Sequence, residues 1–260
     1  MKRVYRVNIL LVAPPGVPAN EIAGELRLFY LHMGSILRKT VSRIAFQQVT
    51  ACMEAHTLVP DDTVIDLLLL ELSSLQIINN RIQQKLPFVG PSKAKILPKV
   101  RYKIYQGVLY DGFPATITQF NAFKKLIADG QLPGIFDINL VIRMNIDKAD
   151  SLRKLEASRK HRIQALKLRY QKFMHPSCKS SRIVRSLYLQ KIETLKKQLD
   201  DTNSPEALER RYERFKNTSL KLSRSLQRQK VCPVIDVNGN GTIDEIMKRI
   251  HREVQRIFRK

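Results

Sequence analysis

The chain has 260 residues, 43% of them hydrophobic, which suffices for one sizeable α/β domain with an elaboration and excludes a mini-protein that needs staples. Lys and Arg number 46 against 23 Asp and Glu, and the resulting net charge of +23 is an interaction signal, with a solubilising surface as the alternative. Cys52, Cys178 and Cys232 lie far apart without Cys-x-x-Cys or Cys/His spacing, so neither a disulfide framework nor a zinc site is suggested, and no apolar run approaches the roughly 20 residues of a membrane span.

Residues 1 to 6 carry three bases and no acid, which fits either an organelle presequence feeding a mitochondrion or plastid, or a plain cytosolic start. Val7 to Val12 is a β-branched, apolar run suited to a strand buried on both faces, and it ends in a turn rich in proline, Ala13 to Pro18. A helix pattern follows, with Ile22, Leu26 and Phe29 at spacings of four and three. Val108 to Tyr110, before Asp111-Gly112-Phe113-Pro114, and Ile138 to Ile142 read as two more buried strands. Val234 to Val237 reads as another, followed by the turn 238 to 241 and a last helix from about Ile243 to Phe258. Strands separated by helices predict an α/β fold with a parallel sheet flanked by helices.

The segment from Asp147 to Leu199 breaks this rhythm. It has one proline, Pro176, and no glycine, and its pattern predicts two long helices joined near His175 to Ser177. Between Ser151 and Lys230 there are 22 Lys and Arg against 7 Asp and Glu, a net +15 of the whole +23. Arg153, Lys154, Arg159, Lys160, Arg162, Lys167, Arg169 and Lys172 recur closely enough to cover much of a helix, with only Glu156 among them, and Lys179, Arg182 and Arg185 continue the run. A solvated helix ordinarily mixes acids among its bases. The expected partner of these eleven residues is a polyanion, and RNA is preferred to duplex DNA because no helix-turn-helix or zinc-finger spacing is present.

Taken in order, the opening strand with Pro15-Gly16, His32 to Arg38, Met53 to Asp61, Asp111-Gly112-Phe113-Pro114, Gln119 and 239 to 246 resemble segments of the adenylate kinase family of nucleoside monophosphate kinases. The opening strand with Pro15-Gly16 falls where that family has its phosphate loop. His32-Met33-Gly34-Ser35-Ile36-Leu37-Arg38 resembles Ser-Thr-Gly-Asp-Leu-Leu-Arg, and Met53 to Asp61 resembles the segment that packs over the bound monophosphate. Asp111-Gly112-Phe113-Pro114 matches the family's most distinctive tetrapeptide, Gln119 falls at the glutamine that contacts the AMP base, and 239 to 246 fits the closing segment. The resemblance covers roughly 5 to 147 and 198 to 258. It implies a P-loop NTPase-like fold with a long basic helical insertion in place of the lid, divided as a core at 1 to 147 with monophosphate-binding-like helices at 32 to 85, an insertion at 148 to 200, and the rest of the core at 201 to 260. It also implies a residual nucleotide site made of Gly16, Arg38, Asp111 and Gln119.

Departures from the pattern fall on the chemistry. A working phosphate loop needs glycines for its cradle of NH groups, a lysine for the transferred group and a Thr or Ser near magnesium. Here Ala13, Pro18, Ala19, Asn20 and Glu21 stand at those places, Ala115 replaces the arginine after Asp-Gly-Phe-Pro, and, if Lys197 to Asp201 aligns with the family's lid pattern, Gln198 stands for its arginine. Proline donates no NH, and Glu21 sets a carboxylate where phosphates would lie.

Other signals are weaker. Asp236, Asn238, Asn240 and Gly241 mimic an EF-hand loop, but Met247 stands at position twelve and a strand precedes it, so strand, turn and helix is the reading. His32, His56, His161, His175 and His251 are scattered, and Tyr102, Tyr105 and Tyr110 serve either base stacking or core packing. The expectation is therefore a non-enzyme without cofactor or metal. It is a structural or assembly subunit of a mitochondrial ribosome that binds ribosomal RNA and neighbouring ribosomal or assembly proteins, without membrane insertion, in the matrix or alternatively the cytoplasm. The alternatives are an active nucleoside monophosphate kinase with an atypical loop and a scaffold of a non-RNA assembly.

Overall fold

The computed structural model describes residues 7–41, 47–54, 57–85, 107–174, 189–190, 193 and 205–258. Its five strands are β1 (Ile9–Val12), β2 (Phe29–His32), β3 (Val108–Asp111), β4 (Leu140–Asn145) and β5 (Val234–Asn238). They form one parallel sheet in the order β2-β3-β1-β4-β5, flanked by helices. Ile9 pairs with Leu109 and Phe29 with Val108, so β3 lies between β1 and β2. All four residues of β1 are buried, as a strand covered on both faces requires. The helices are α1 (Ala19–Glu25), α2 (Met33–Val41), α3 (Gln47–Glu54), α4 (Asp61–Lys85), α5 (Ile117–Ala128), α6 (Lys148–Met174), α7 (Pro205–Asn217), α8 (Ser219–Gln229) and α9 (Ile243–Phe258). A P-loop NTPase-like α/β fold is the result.

The expected helix through Phe29 is corrected. Arg27 adopts a left-handed φ of 54°, and the amides of Arg27 and Leu28 turn back onto the carbonyls of Gly24 and Ala23. That double closure is a Schellman end, which stops α1 and frees Phe29 to pair in β2. Tyr102 and Tyr105 lie outside the described residues, as does the second long helix expected beyond Pro176 apart from residues 189–190 and 193, which are helical.

Two compact units are distinguished, one of Met1–Val12, Ala19–Ile142 and Leu222–Ile235, the other of Ala13–Pro18, Arg143–Lys221 and Asp236–Lys260. In the first, Tyr110, Phe113 and Phe123 are fully buried with ring centroids 5.5 to 6.4 Å apart, Phe123 meeting both other rings edge-to-face. The Tyr110 hydroxyl donates to the Phe136 carbonyl at 2.6 Å, and burial pushes its ionisation far above the ordinary range. Asn8, buried just before β1, accepts from the Val108 amide and donates to the carbonyls of Ile135 and Asp137. One side chain thus satisfies three backbone groups that the strand ends leave open.

In the second unit, Arg143 on β4 donates to both carboxylate oxygens of Asp236 on β5, at 2.5 and 2.6 Å. This fork holds the Asp236 carboxyl below its ordinary value, by hydrogen bonding first and charge second, and pushes the guanidinium up. After β5 the chain turns into α9 through a capping box: Glu245 accepts from the Thr242 amide at 2.9 Å and Thr242 accepts from the Glu245 amide. Ile246, Met247 and Ile250 of α9 are buried. Strand, turn and helix is therefore the arrangement at 234 to 258, and Met247 is a core residue.

Candidate functional site

The turn after β1 is built around Pro15-Gly16. Gly16 has a φ of +96°, and a Cβ placed there would lie 2.5 Å from the Ser151 carbonyl oxygen and 3.1 Å from Leu155 Cγ. Glycine is thus required twice, by backbone sign and by the close approach of the first turns of α6. The buried Ser151 hydroxyl donates to the Pro15 carbonyl. Downstream, Ala19 is buried at the start of α1 while Asn20 and Glu21 are exposed.

At the ends of β2 and β3 the predicted residues Arg38 and Asp111 come into one cluster. Tyr30 donates to Asp111 Oδ2 at 2.6 Å, and its ring is stacked with that of His32 at a centroid distance of 5.8 Å. His32 lies in register with Asp111, and its Nδ1 is 2.8 Å from Ser35 Oγ, to which the exposed Arg38 donates at 3.4 Å. A guanidinium beside a hydroxyl is a donor set that suits a phosphate oxygen. Gln119 is not part of this cluster. It is buried, its amide nitrogen donates to Asp61 Oδ1 at 2.7 Å and its oxygen accepts from the Ala115 amide at 2.8 Å, so it ties α5 to the first turn of α4.

Of the predicted polyanion contacts, Arg153 is exposed on α6 and paired with Asp150 at 2.9 Å. Lys154 is turned inward, donating to the Gly239 carbonyl, with Asp150 at 3.6 Å. Arg159, Lys160, Arg162, Lys167, Arg169 and Lys172 lie on the same helix, and Lys179, Arg182 and Arg185 lie outside the described residues. Among the described residues no group of three His, Cys, Asp or Glu is placed to hold a metal ion.

Sequence reasoning missed Tyr30, Ser35 and Asp61 as partners of the predicted residues. Tyr30 and His32 alternate along β2, a period-two signal visible once that segment is read as a strand. Asp61 carried no such signal, since it meets Gln119 across 58 residues of chain.

No family model matches the chain. It is 26% identical over 155 residues to the adenylate kinase of Phenylobacterium zucineum (strain HLK1), covering 57% of this chain and 65% of that protein. It is 24% identical over 163 residues to the adenylate kinase of Geotalea uraniireducens (strain Rf4), covering 60% and 61%. It is 28% identical over 133 residues to adenylate kinase 2 of Schistosoma mansoni, covering 49% and 44%. The chain thus spans less than two thirds of the length of these curated relatives. Weak homology and the parallel sheet together give an adenylate kinase-like P-loop fold. The expectation of a non-enzyme, drawn from the replaced loop residues, is corrected by this homology, because the relatives are named as adenylate kinases, which are enzymes.

Proposed function

We propose that this adenylate kinase-like chain is a structural or assembly subunit of a ribonucleoprotein, a mitochondrial ribosome, holding ribosomal RNA through the basic segment 148 to 200 beside neighbouring ribosomal or assembly proteins in the matrix. The observation that carries the reading is the concentration of charge, 15 Lys and Arg against 4 Asp and Glu, a net +11, between residues 148 and 200. Self-repulsion on that scale is relieved when phosphates neutralise it and release their counterions. The reading concerns attachment to RNA, and phosphoryl transfer is measured separately. Sedimentation of the native protein from an organelle lysate, with and without ribonuclease, tests it. Co-migration with a ribosomal subunit that collapses on ribonuclease treatment is the expected result, and a slow, ribonuclease-indifferent peak near 30.1 kDa overturns it.

A second reading, a nucleoside monophosphate kinase with an atypical phosphate loop, is favoured by the homology to proteins named adenylate kinases. A coupled ADP-forming assay decides it: turnover that Arg38→Ala abolishes supports a kinase, and absence of turnover with every nucleoside monophosphate counts against one.

A further inference from the structure

Helix α8, outside the segment already proposed for RNA, carries its charge on one side. Lys221, Arg224 and Arg228 stand at i, i+3 and i+7, which at 100° per residue places them within an arc of about 60°. All three are exposed, whereas Leu222, Ser223 and Leu226 on the other side are buried. The helix contains no Asp or Glu, and among the described residues no carboxylate lies within ion-pair distance of these three cations or of Lys230. Like charges three and four apart weaken a helix, so the arrangement is unfavourable in the isolated chain.

The end of α8 adds a second, independent observation. The amides of Lys230 and Val231 turn back onto the carbonyls of Gln227 and Leu226, a Schellman end that places Lys230 at the left-handed position with a φ of 53°. Glycine is the default there, and this same chain uses Gly130, φ 71°, just after α5. Arg27 occupies the equivalent place after α1, where it is the terminal cation, because the last turn of α1 holds none. That role is already filled on α8 by Arg228 in the last turn. Lys230 therefore carries backbone strain without a helix-terminus reason for its charge, and strain retained at a charged residue points to a use of that charge.

We infer that the outer face of α8, extended by Lys230, is a phosphate-tracking surface for RNA, distinct from the 148 to 200 segment. The inference rests on the RNA-bound reading of the chain. From Lys221 to Arg228 the helix rises about 10 Å. That length matches about three phosphates at the 3.4 Å axial spacing of one strand in a duplex. A lipid surface fits less well, since a membrane-lying helix needs an apolar face free to insert and the apolar face of α8 is buried in the protein.

The test is binding of the full chain to a hairpin RNA with a single-stranded loop, measured over a range of KCl. The variants are Lys221→Gln/Arg224→Gln/Arg228→Gln, Lys230→Gly, Arg27→Gly, and Arg159→Gln/Arg162→Gln/Lys167→Gln. The α8 triple variant is expected to lower the salt slope by about 2 to 3, from three contacts at about 0.9 each on the duplex stem or about 0.7 each on the unpaired loop. Lys230→Gly is expected to weaken RNA binding several-fold while raising Tm, which separates lost contact from lost folding. Arg27→Gly changes Tm alone. A wild-type slope in the α8 variants, with a reduced slope in the α6 variant, overturns this inference and leaves the RNA reading standing. Failure of the wild-type chain to bind the RNA, or binding confined to vesicles of anionic lipid, overturns both.

Discussion

After β3 the tetrapeptide Asp111 to Pro114 and Gln119 of the adenylate kinase pattern are kept and only Ala115 departs, whereas after β1 most of the pattern is replaced, yet the two ends are equally well built. Phe113 of the retained tetrapeptide is a fully buried member of an aromatic cluster, Asp111 accepts from Tyr30, and Gln119 has its donor and acceptor both engaged. At β1, where Pro18 and Ala19 stand in a changed loop, Gly16 still fits under the Ser151 carbonyl with no room for a methyl group. Retention at a family position can therefore reflect architecture as much as chemistry, and replacement can create a new fit rather than a gap.

The sharpest way to break that comparison is Gly16→Ala. Strained backbone and a 2.5 Å approach to the Ser151 oxygen together are expected to cost about 3 kcal/mol, read as a lowered midpoint in chemical denaturation. An unchanged midpoint would show the turn to be independent of α6. At the other end, Gln119→Ala strands the Ala115 amide and removes a donor from Asp61, and a loss of about 2 kcal/mol is expected. If stability instead holds and only AMP affinity falls, Gln119 is a ligand contact and not a brace. Tyr110→Phe leaves the Phe136 carbonyl without its donor inside the core, for an expected loss of about 1 kcal/mol in the same assay.

The smallest effect lies in the middle of β5. Asp236, held below its ordinary 3.8 by Arg143, contributes stability that is present above that value and lost as pH falls through the lower folded value. Its carboxylate is 43% exposed, so the contribution is expected to stay under about 1 kcal/mol. Denaturation midpoints of the wild type and Asp236→Asn should converge as the pH is lowered from about 5 to about 2. A gap that stays constant over that range would mean the ion pair does not act through the charge of Asp236.

Strands β1, β3 and β5 were legible because each is an apolar run closed by a turn with proline or glycine, and the closing helix because it follows the turn 238 to 241; β4 was legible only in part, since the run read from Ile138 to Ile142 stopped at Arg143 and the strand spans Leu140–Asn145. Strand β2 was not, because Ile22, Leu26 and Phe29 imitate a helical period and nothing in the letters marks Arg27 as left-handed. The site was legible only as a list of residues. That Arg38 and Asp111 share a cluster while Gln119 faces Asp61 depends on contacts between positions up to 81 residues apart, which no local pattern encodes. The charge of α8 was in plain view, but its one-sidedness needs the burial of Leu222, Ser223 and Leu226 to define a face.

The seat of α6 on the Pro15-Gly16 turn has a mechanical consequence. An α-helix of 27 residues is a rod of about 40 Å, and this one is fastened near its first turn by the Ser151 hydroxyl and a gap that admits only glycine. A rod pinned at one end is a lever, and torque applied along its length is delivered to the pin with little lost to bending. Whatever grips the far turns of α6 thereby sets the stiffness of the turn that follows β1.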